Sequence, residues 1–399
     1  MRILHISPYF MPTHSYGGPV ASLYRLCLNL ARVGCDVRVL TTNADGRNVL
    51  NVQPGREVAV AAGFEVTYMG RIGGTFSPGL LMRLLPEVRR AQVVHLTGVY
   101  SFTTLPTLLA CRLMGRPLVW SPRGELQSWR GSRARLLKRL WEVACRLAAP
   151  RTTILLLTSE TERAESLRRF PNFSTAVMPT AVRVPASVNH TAAADGALRL
   201  GYIGRLHPCK GIDNLIEACR IVKRQGIACS LVIAGTGRSR YTRFLRRKID
   251  ALGLAGAVRM ASEVHGSAKR AFFEALDLLI VPSHAESVAT AVAEGLAFGV
   301  PVIASRHTPW AQLEDQSCGL WVDNDPESLA NAITQMRAMP LEQMGQRGRE
   351  WMSADFTWDA AARKVCNAYF TMLSGASILG ETAGARDSIA AARQSAPPP

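Results

Sequence analysis

The chain is short of acid. Against 47 Lys and Arg it carries 30 Asp and Glu, a net charge of +17 over 399 residues. It has no run of about 18 apolar residues, the length that a helix needs to cross a bilayer, so no transmembrane span is predicted. The opening "MRILHISPYF" has too short an apolar stretch for a signal peptide and is interrupted by a histidine and a proline. It reads as a first strand, and the chain as cytoplasmic. The nine cysteines include no CxxC pair and no metal-ligand spacing, which argues against a zinc module and for reduced thiols filling core gaps. Aromatic residues are not interleaved with the basic ones and no nucleic-acid motif is present, so nucleic acid is not the expected partner. The basic excess points instead to phosphorylated substrates or anionic lipid headgroups, or to nothing more than an Arg-rich proteome.

What is present is a long alternation of short apolar runs and helical patterns. "RILHIS", "DVRVLTT", "VVHLT", "PLVWSP" and "TILLLTS" read as strands, with helices between them such as Pro19 to Val33 and Leu105 to Met114. A second series starts at "LRLGYIG" and continues through "CSLVIAG", "VRMAS", "LLIVPS", "PVIAS" and "GLWVD". The expected fold class is α/β, with two doubly wound, Rossmann-like parallel sheets facing a cleft. The predicted organisation is an N-terminal domain over 1–184, a small polar linker over 185–198 and a C-terminal domain over 199–355. A closing helix follows over 356–373, and the Ala-, Ser- and Pro-rich tail over 374–399 is expected to be disordered.

In open α/β sheets ligands bind beyond the carboxyl ends of strands, so the chemistry belongs in the loops there. After "LRLGYIG" come Gly204, Arg205 and Lys210, then a helix opening at Gly211. A glycine turn, two cations and a helix N-terminus make an anion site. The alternative is a pair of solvated surface cations. After "LLIVPS" come Glu286 and Glu294, eight positions apart in an otherwise small and apolar stretch. If "AESVATAVAEGLAFG" is helical from its start, Glu286 sits at a helix N-terminus and Glu294 stands ~12 Å further along roughly the same face. Glu286 could then be a plain helix cap. Glu294, among Ala, Val and Leu, needs strong partners, and sugar or ribose hydroxyls would serve.

These stretches, "GRLHPCKGIDNLIEA", "LVIAGTG", "LDLLIVPSHAESVATAVAEGLAFGVPVIAS" and "CGLWVD", resemble the GT-B retaining glycosyltransferases of glycosyltransferase family 4, which carry an E-x7-E motif. "ILHISPYFMPTHSYGGPV", "VVHLTGVYS", "SPRGEL" and "LLLTSETE" resemble the same family's N-terminal half, so the likeness runs from about residue 1 to 373. "HTPW" after "PVIAS" suggests the branch that builds bacterial surface polysaccharides, such as exopolysaccharide, O-antigen or lipopolysaccharide.

The resemblance implies a nucleoside-diphosphate-sugar donor, a glycan or lipid-linked acceptor, and neither metal nor cofactor. Arg205 and Lys210 would hold the diphosphate, Glu286 the donor sugar and Glu294 the ribose. Ser287, Val288 and Ala289 would offer backbone N–H groups, and Gly17 and Gly18 would let the N-terminal loop approach the donor. The chain departs from the family at Val288 and Ala289, where Phe and Gly are usual. It departs again at Arg123, where many relatives have His, and at Thr180, where relatives often have Asn. Arg123 and His95 are candidates for the acceptor side; His5 and His95 also read as core histidines.

Other signals carry less. Asp323 to Asp325 match a metal-binding D-x-D but read as the start of a helix at Pro326. "GTGRSR" lacks the third glycine of a dinucleotide fingerprint. Residues 132–149 form an amphipathic helix, with Leu137, Leu140, Trp141, Ala144 and Ala148 on one face and Arg135, Lys138, Arg139 and Arg146 on the other. It is either a packed surface helix or an attachment to an anionic membrane on its inner face. A nucleoside-diphosphate-sugar epimerase, a nucleic-acid-binding protein and an inactive family member are the competing readings.

Overall fold

Strands that alternate their side chains between two buried faces must be apolar throughout, and the runs singled out above are. In Leu278–Val281 every residue is buried. Leu278 and Ile280 enter one apolar cluster, while Leu279 and Val281 enter another on the opposite face. This period-two division places helices on both sides of a parallel sheet. The computed structural model describes residues 1–13, 15–16, 18–126, 135–179, 181–191, 196–286 and 288–374. It contains two compact units.

The first unit holds residues 1–158, 162–178 and the stretch from Ala362. Its elements are β1 (Arg2–Ile6), α1 (Gly18–Arg32), β2 (Asp36–Thr42), the small ribbon β3 (Ala44–Asp45) and β4 (Asn48–Val49), β5 (Glu57–Ala61) and β6 (Phe64–Met69). Then come α2 (Pro78–Arg90), β7 (Val93–Thr97), α3 (Thr104–Leu113), β8 (Leu118–Ser121), α4 (Arg135–Ala148), β9 (Thr153–Leu157), α5 (Glu160–Arg169) and β10 (Ser174–Val177). The sheet runs β10-β9-β8-β7-β1-β2-β6-β5. It is parallel except for β5, which pairs antiparallel with β6 at the edge. That strand corrects an all-parallel expectation: "REVAVAAGFEVTYM" turns back at Gly63, φ 69°, with too few residues for a parallel crossover.

One face of this sheet packs Leu4, Leu96, Trp120 and Leu155 against α2, α3 and α4. Here the amphipathic helix differs from the expectation. Trp141, Cys145 and Ala148 join the core, but Leu136, Leu137, Leu140, Val143 and Leu147 are exposed. Leu137 and Leu140 therefore do not share the buried face with Trp141. Of the expected span 132–149, residues 132–134 lie outside those described.

The second unit holds residues 159–161 and Pro179–Ala361. It contains β11 (Leu198–Ile203), α6 (Ile212–Arg224), β12 (Cys229–Ala234), α7 (Ser239–Ala251), β13 (Val258–Ala261), α8 (Gly266–Glu274) and β14 (Leu278–Val281). These are followed by α9 (Thr290–Ala297), β15 (Val302–Ser305), α10 (Gln312–Asp315), β16 (Gly319–Val322), α11 (Pro326–Arg337) and α12 (Leu341–Asp355). A last helix, α13 (Trp358–Ser374), carries the chain onward. The sheet is wholly parallel, in the order β13-β12-β11-β14-β15-β16. The segment read as a linker is tied to this unit: Asn189 N donates to Glu274 Oε1 at 3.1 Å, and Arg270 Nη2 to the Ser187 carbonyl at 2.7 Å. Asp325 caps α11 by accepting from Ser328 N at 2.8 Å, so "DND" is a helix start. Residues 375–399, expected to be disordered, lie outside the described residues.

Candidate active site

The order of the second sheet fixes where its loops converge. From β11 the chain winds outward to β12 and β13, then returns to place β14 on the other side of β11. The loops after β11 and β14 therefore diverge from a topological switch point, where a ligand can enter between them. Arg205 and Lys210 lie in the first loop, and Glu286 in the second.

The loop after β11 is held from two sides. A Cβ at Gly235 would lie 1.9 Å from the Gly204 carbonyl oxygen, so the loops after β12 and β11 cross at backbone contact. A Cβ at Gly211 would lie 2.0 Å from the Pro282 carbonyl oxygen, and Gly211 is left-handed with φ 62°. Only glycine permits that approach. The approach places Lys210, at the end of a short turn over Pro208–Lys210, directly against Glu286. Lys210 Nζ donates to Glu286 Oε2, and Ser283 Oγ donates to the same oxygen at 3.1 Å. Both charged side chains are largely buried, at 16% and 21% exposure. Arg205 is exposed and has no ion pair among the described residues. Tyr202, behind this loop, donates to the Arg205 carbonyl at 3.1 Å. Burial, and then the charge of Glu286, push its phenol well above the ordinary value.

Glu286 is not at the helix start. The helix α9 begins at Thr290, and Ala289 before it is left-handed, φ 49°. Neither the cap reading nor the pitch arithmetic between Glu286 and Glu294 survives, because Glu286, Val288 and Ala289 precede the helix as loop. The loop is anchored to the segment after β15. Glu286 N donates to the His307 carbonyl at 3.2 Å, and Trp310 Nε1 donates to the Val288 carbonyl at 2.8 Å. Trp310 is itself wedged against Trp351 and Phe356. Glu294, within α9, is half-buried and paired with Lys269 of α8 at 2.6 Å, rather than bare in the core. Ser287 lies outside the described residues.

In the first unit, β1 and β7 are neighbours at the corresponding switch point. Gly18 is the first residue of α1, which follows the loop after β1; Gly17 and Thr180 lie outside the described residues. Glu125 organises the loop after β7, accepting from Val99 N at 2.6 Å and Tyr100 N at 3.0 Å. His95 is fully buried, with Nδ1 2.5 Å from Tyr369 Oη and Nε2 2.8 Å from Ser121 Oγ. It stacks on His5 at 4.4 Å between ring centroids. Burial pushes the His5 imidazole down to about 3 and that of His95 well below its usual value, with Arg123 contributing to both. Arg123 follows β8 in a left-handed conformation, φ 54°. Its Nε and Nη2 are sealed from solvent without a hydrogen-bond partner. Burial lowers its pKa, and the nearby Glu162 carboxylate opposes that.

Lys269, Ser283, Trp310, Glu125 and Tyr369 were not anticipated as parts of these constellations. Trp310, Glu125 and Ser283 lie in the quoted stretches "HTPW", "SPRGEL" and "LLIVPS", but nothing in those stretches gave them these partners. Among the described residues no group of three or more His, Cys, Asp or Glu is placed to hold a metal ion.

The chain matches the family of glycosyl transferases group 1 over residues 186–351, and the glycosyl transferase 4-like domain over residues 17–181. Among curated relatives, it is similar to the putative colanic acid biosynthesis glycosyltransferase WcaL of Escherichia coli (strain K12). The identity is 28% over 200 residues, or 47% of this chain and 47% of the relative. The matched stretch thus spans about half the length of that protein. It is also similar to D-inositol 3-phosphate glycosyltransferase of Salinispora tropica, 25% identical over 413 residues, or 92% of this chain and 83% of the relative. Among solved structures, Anabaena Alr3699/HepE in complex with UDP superposes with a TM-score of 0.70 at 16% identity. That match covers 93% of this chain and 100% of the other.

Proposed function

The chain belongs to the GT-B glycosyltransferases, and from that premise we propose that it is a retaining, metal-independent enzyme. It moves a sugar from a nucleoside-diphosphate sugar to a hydroxyl of a glycan or lipid-linked acceptor. The likeness to WcaL supports a place in surface-polysaccharide synthesis, and the acceptor's lipid would keep the enzyme at the cytoplasmic face of a membrane. The UDP bound by HepE supports a nucleoside diphosphate as the leaving group.

The observation that carries the reading is the pairing of Lys210 with Glu286 across the switch point, with Arg205 unpaired in the same loop. In the reaction the bond from the anomeric carbon to the diphosphate oxygen breaks. An acceptor oxygen bonds to that carbon and passes its proton to the departing diphosphate. Charge builds on the departing diphosphate, and fixed cations at that point lower the barrier more than they stabilise the ground state. Lys210 and Arg205 are those cations. Glu286, released from Lys210 when the diphosphate takes its place, turns its carboxylate to the hydroxyls of the donor sugar. Glu294 is assigned to the ribose, exchanging Lys269 for sugar hydroxyls. Backbone N–H groups of the loop through Val288 and Ala289 add donors to the phosphates, and Gly18 helps admit the donor. His95, with both ring nitrogens engaged, holds the end of β7 in place, and Arg123 takes the acceptor side.

The test is a panel of nucleoside-diphosphate sugars scored by thermal stabilisation, then by sugar transfer. One donor should raise the melting temperature in the wild type and not in Lys210→Ala. Stabilisation by none of them would contradict the donor assignment.

A further inference from the structure

Helix α4 has two apolar faces, and the core uses one. Trp141, Cys145 and Ala148 are built into the first unit, with Trp141 Nε1 donating to the Val99 carbonyl at 2.7 Å. The other face carries Leu136, Leu140, Val143 and Leu147, whose spacing of four, three and four residues makes one stripe along a helix. They are 73%, 59%, 40% and 69% exposed, and Leu137 beside them is 70% exposed. The surface continues onto α3. There Arg112 Nη1 donates to the Leu147 carbonyl, joining the two helices, and Leu109 and Leu113 are 47% and 76% exposed. Single exposed leucines are ordinary, but a full stripe of them along α4, with two more on the helix bonded to it, calls for a partner.

The border of the stripe says which. At about 100° per residue, Arg139 and Arg146 fall ~70–90° to one side of the stripe's centre line. Both are exposed, with no ion pair among the described residues. A second copy of this chain would bring those arginines, and a net charge of +17, against their like. A sheet of anionic headgroups over an apolar interior complements both features at once.

We propose that α3 and α4 dock on an anionic lipid surface. In this arrangement α4 lies in the plane of the interface, its leucines reach the acyl boundary and Arg139 and Arg146 meet headgroup phosphates. The inference names the surface that serves the proposed function with a lipid-linked acceptor, and rests on that reading only for its purpose. The docking itself needs no catalytic assignment.

The full chain is mixed with vesicles of phosphatidylcholine, with and without phosphatidylglycerol, and bound protein is measured by flotation. Binding should require phosphatidylglycerol. The triple variant Leu136→Gln, Leu140→Gln, Leu147→Gln should lose at least tenfold in affinity. Arg139→Glu with Arg146→Glu should lose a similar factor on the anionic vesicles alone. Both variants should keep the wild-type melting temperature and donor binding, since the substituted side chains are exposed. Wild-type vesicle binding by the leucine variant overturns the proposal. So does a concentration-dependent dimer that those leucine changes disperse, with no vesicle binding by the parent. Vesicle binding without glycosyl transfer by the parent would support docking and remove the catalytic reading.

Discussion

Lys210 and Glu286, 76 residues apart in sequence, are ion-paired where the loops after two neighbouring strands diverge. The pair holds a cation largely out of water in advance of any diphosphate. It also keeps a carboxylate from standing alone in a half-buried place, where an unpaired charge is costly. On the proposed reading, a donor would exchange its phosphate for the carboxylate and offer hydroxyls to the acid it displaces. Both partners are then satisfied before and after binding.

The geometry of that pair depends on Gly211. A methyl group there would meet the Pro282 carbonyl oxygen at 2.0 Å, in a residue already at φ 62°. Gly211→Ala should therefore push the loop after β11 away from β14. We expect a loss of about 2 kcal/mol or more in the second unit's stability, together with a large fall in turnover. Thermal unfolding and initial rates measured on one preparation check both.

Ala289 occupies a left-handed conformation at 3% exposure. An L-residue there costs roughly 1–2 kcal/mol. A buried methyl returns about 0.8 kcal/mol, and glycine's own backbone entropy about as much again. Ala289→Gly should accordingly stay within about 1 kcal/mol of wild type. Ala289→Val, β-branched at positive φ, should lose 2 kcal/mol or more. Chemical denaturation of the three proteins distinguishes them; equal midpoints for Val and Ala would show the strain to be absent.

Trp310 ties down the loop that carries Glu286 through one hydrogen bond, 2.8 Å to the Val288 carbonyl. Trp310→Phe keeps an aromatic ring against Trp351 and Phe356 and removes the donor. It should cost about 1 kcal/mol and raise KM for the donor several-fold with a smaller change in kcat. A lowered kcat at unchanged KM would mean that the tryptophan acts elsewhere.

Acid should weaken the first unit. His5 and His95 are fully buried, with imidazoles depressed to about 3 and well below the usual value, respectively. The unfolded chain binds these protons near pH 6.5, before the folded one does. Their contribution is thus fully present above pH 6.5 and is lost as pH falls toward about 3, at up to ~1.4 kcal/mol per pH unit for each histidine. Unfolding followed from pH 7.5 to 5 should show this slope. His5→Leu should reduce it by about one proton, and an unchanged slope would place the sensitivity elsewhere.

The two parallel sheets were legible because strands buried on both faces must be continuous apolar runs, as in "LLIVPS" and "TILLLTS". The antiparallel β5 was not, since "EVAVA" is mostly exposed and alternates weakly. The start of α9 was misread because "AESVATAVAEG" has helical composition throughout. The break at Ala289 comes from the loop's bonds to His307 and Trp310, which no local pattern encodes. The two glutamates stood out as charges in an apolar stretch. Their partners Lys210 and Lys269 come from other strand–helix units, and the pairing with Lys269 becomes visible only when α8 and α9 lie side by side. The exposed stripe on α4 was concealed by an opposite reason: the helix is apolar on two sides, and sequence alone does not say which side the sheet takes.

The most direct test of the account is kcat/KM for sugar transfer by Lys210→Ala, with the donor that stabilises the wild-type protein. If Lys210 stabilises the departing diphosphate, the variant should lose about 100-fold or more, equivalent to ~2.7 kcal/mol in the transition state, while its fold, read by circular dichroism, is kept. Wild-type turnover in a folded Lys210→Ala would contradict the assignment of this pair as the donor site.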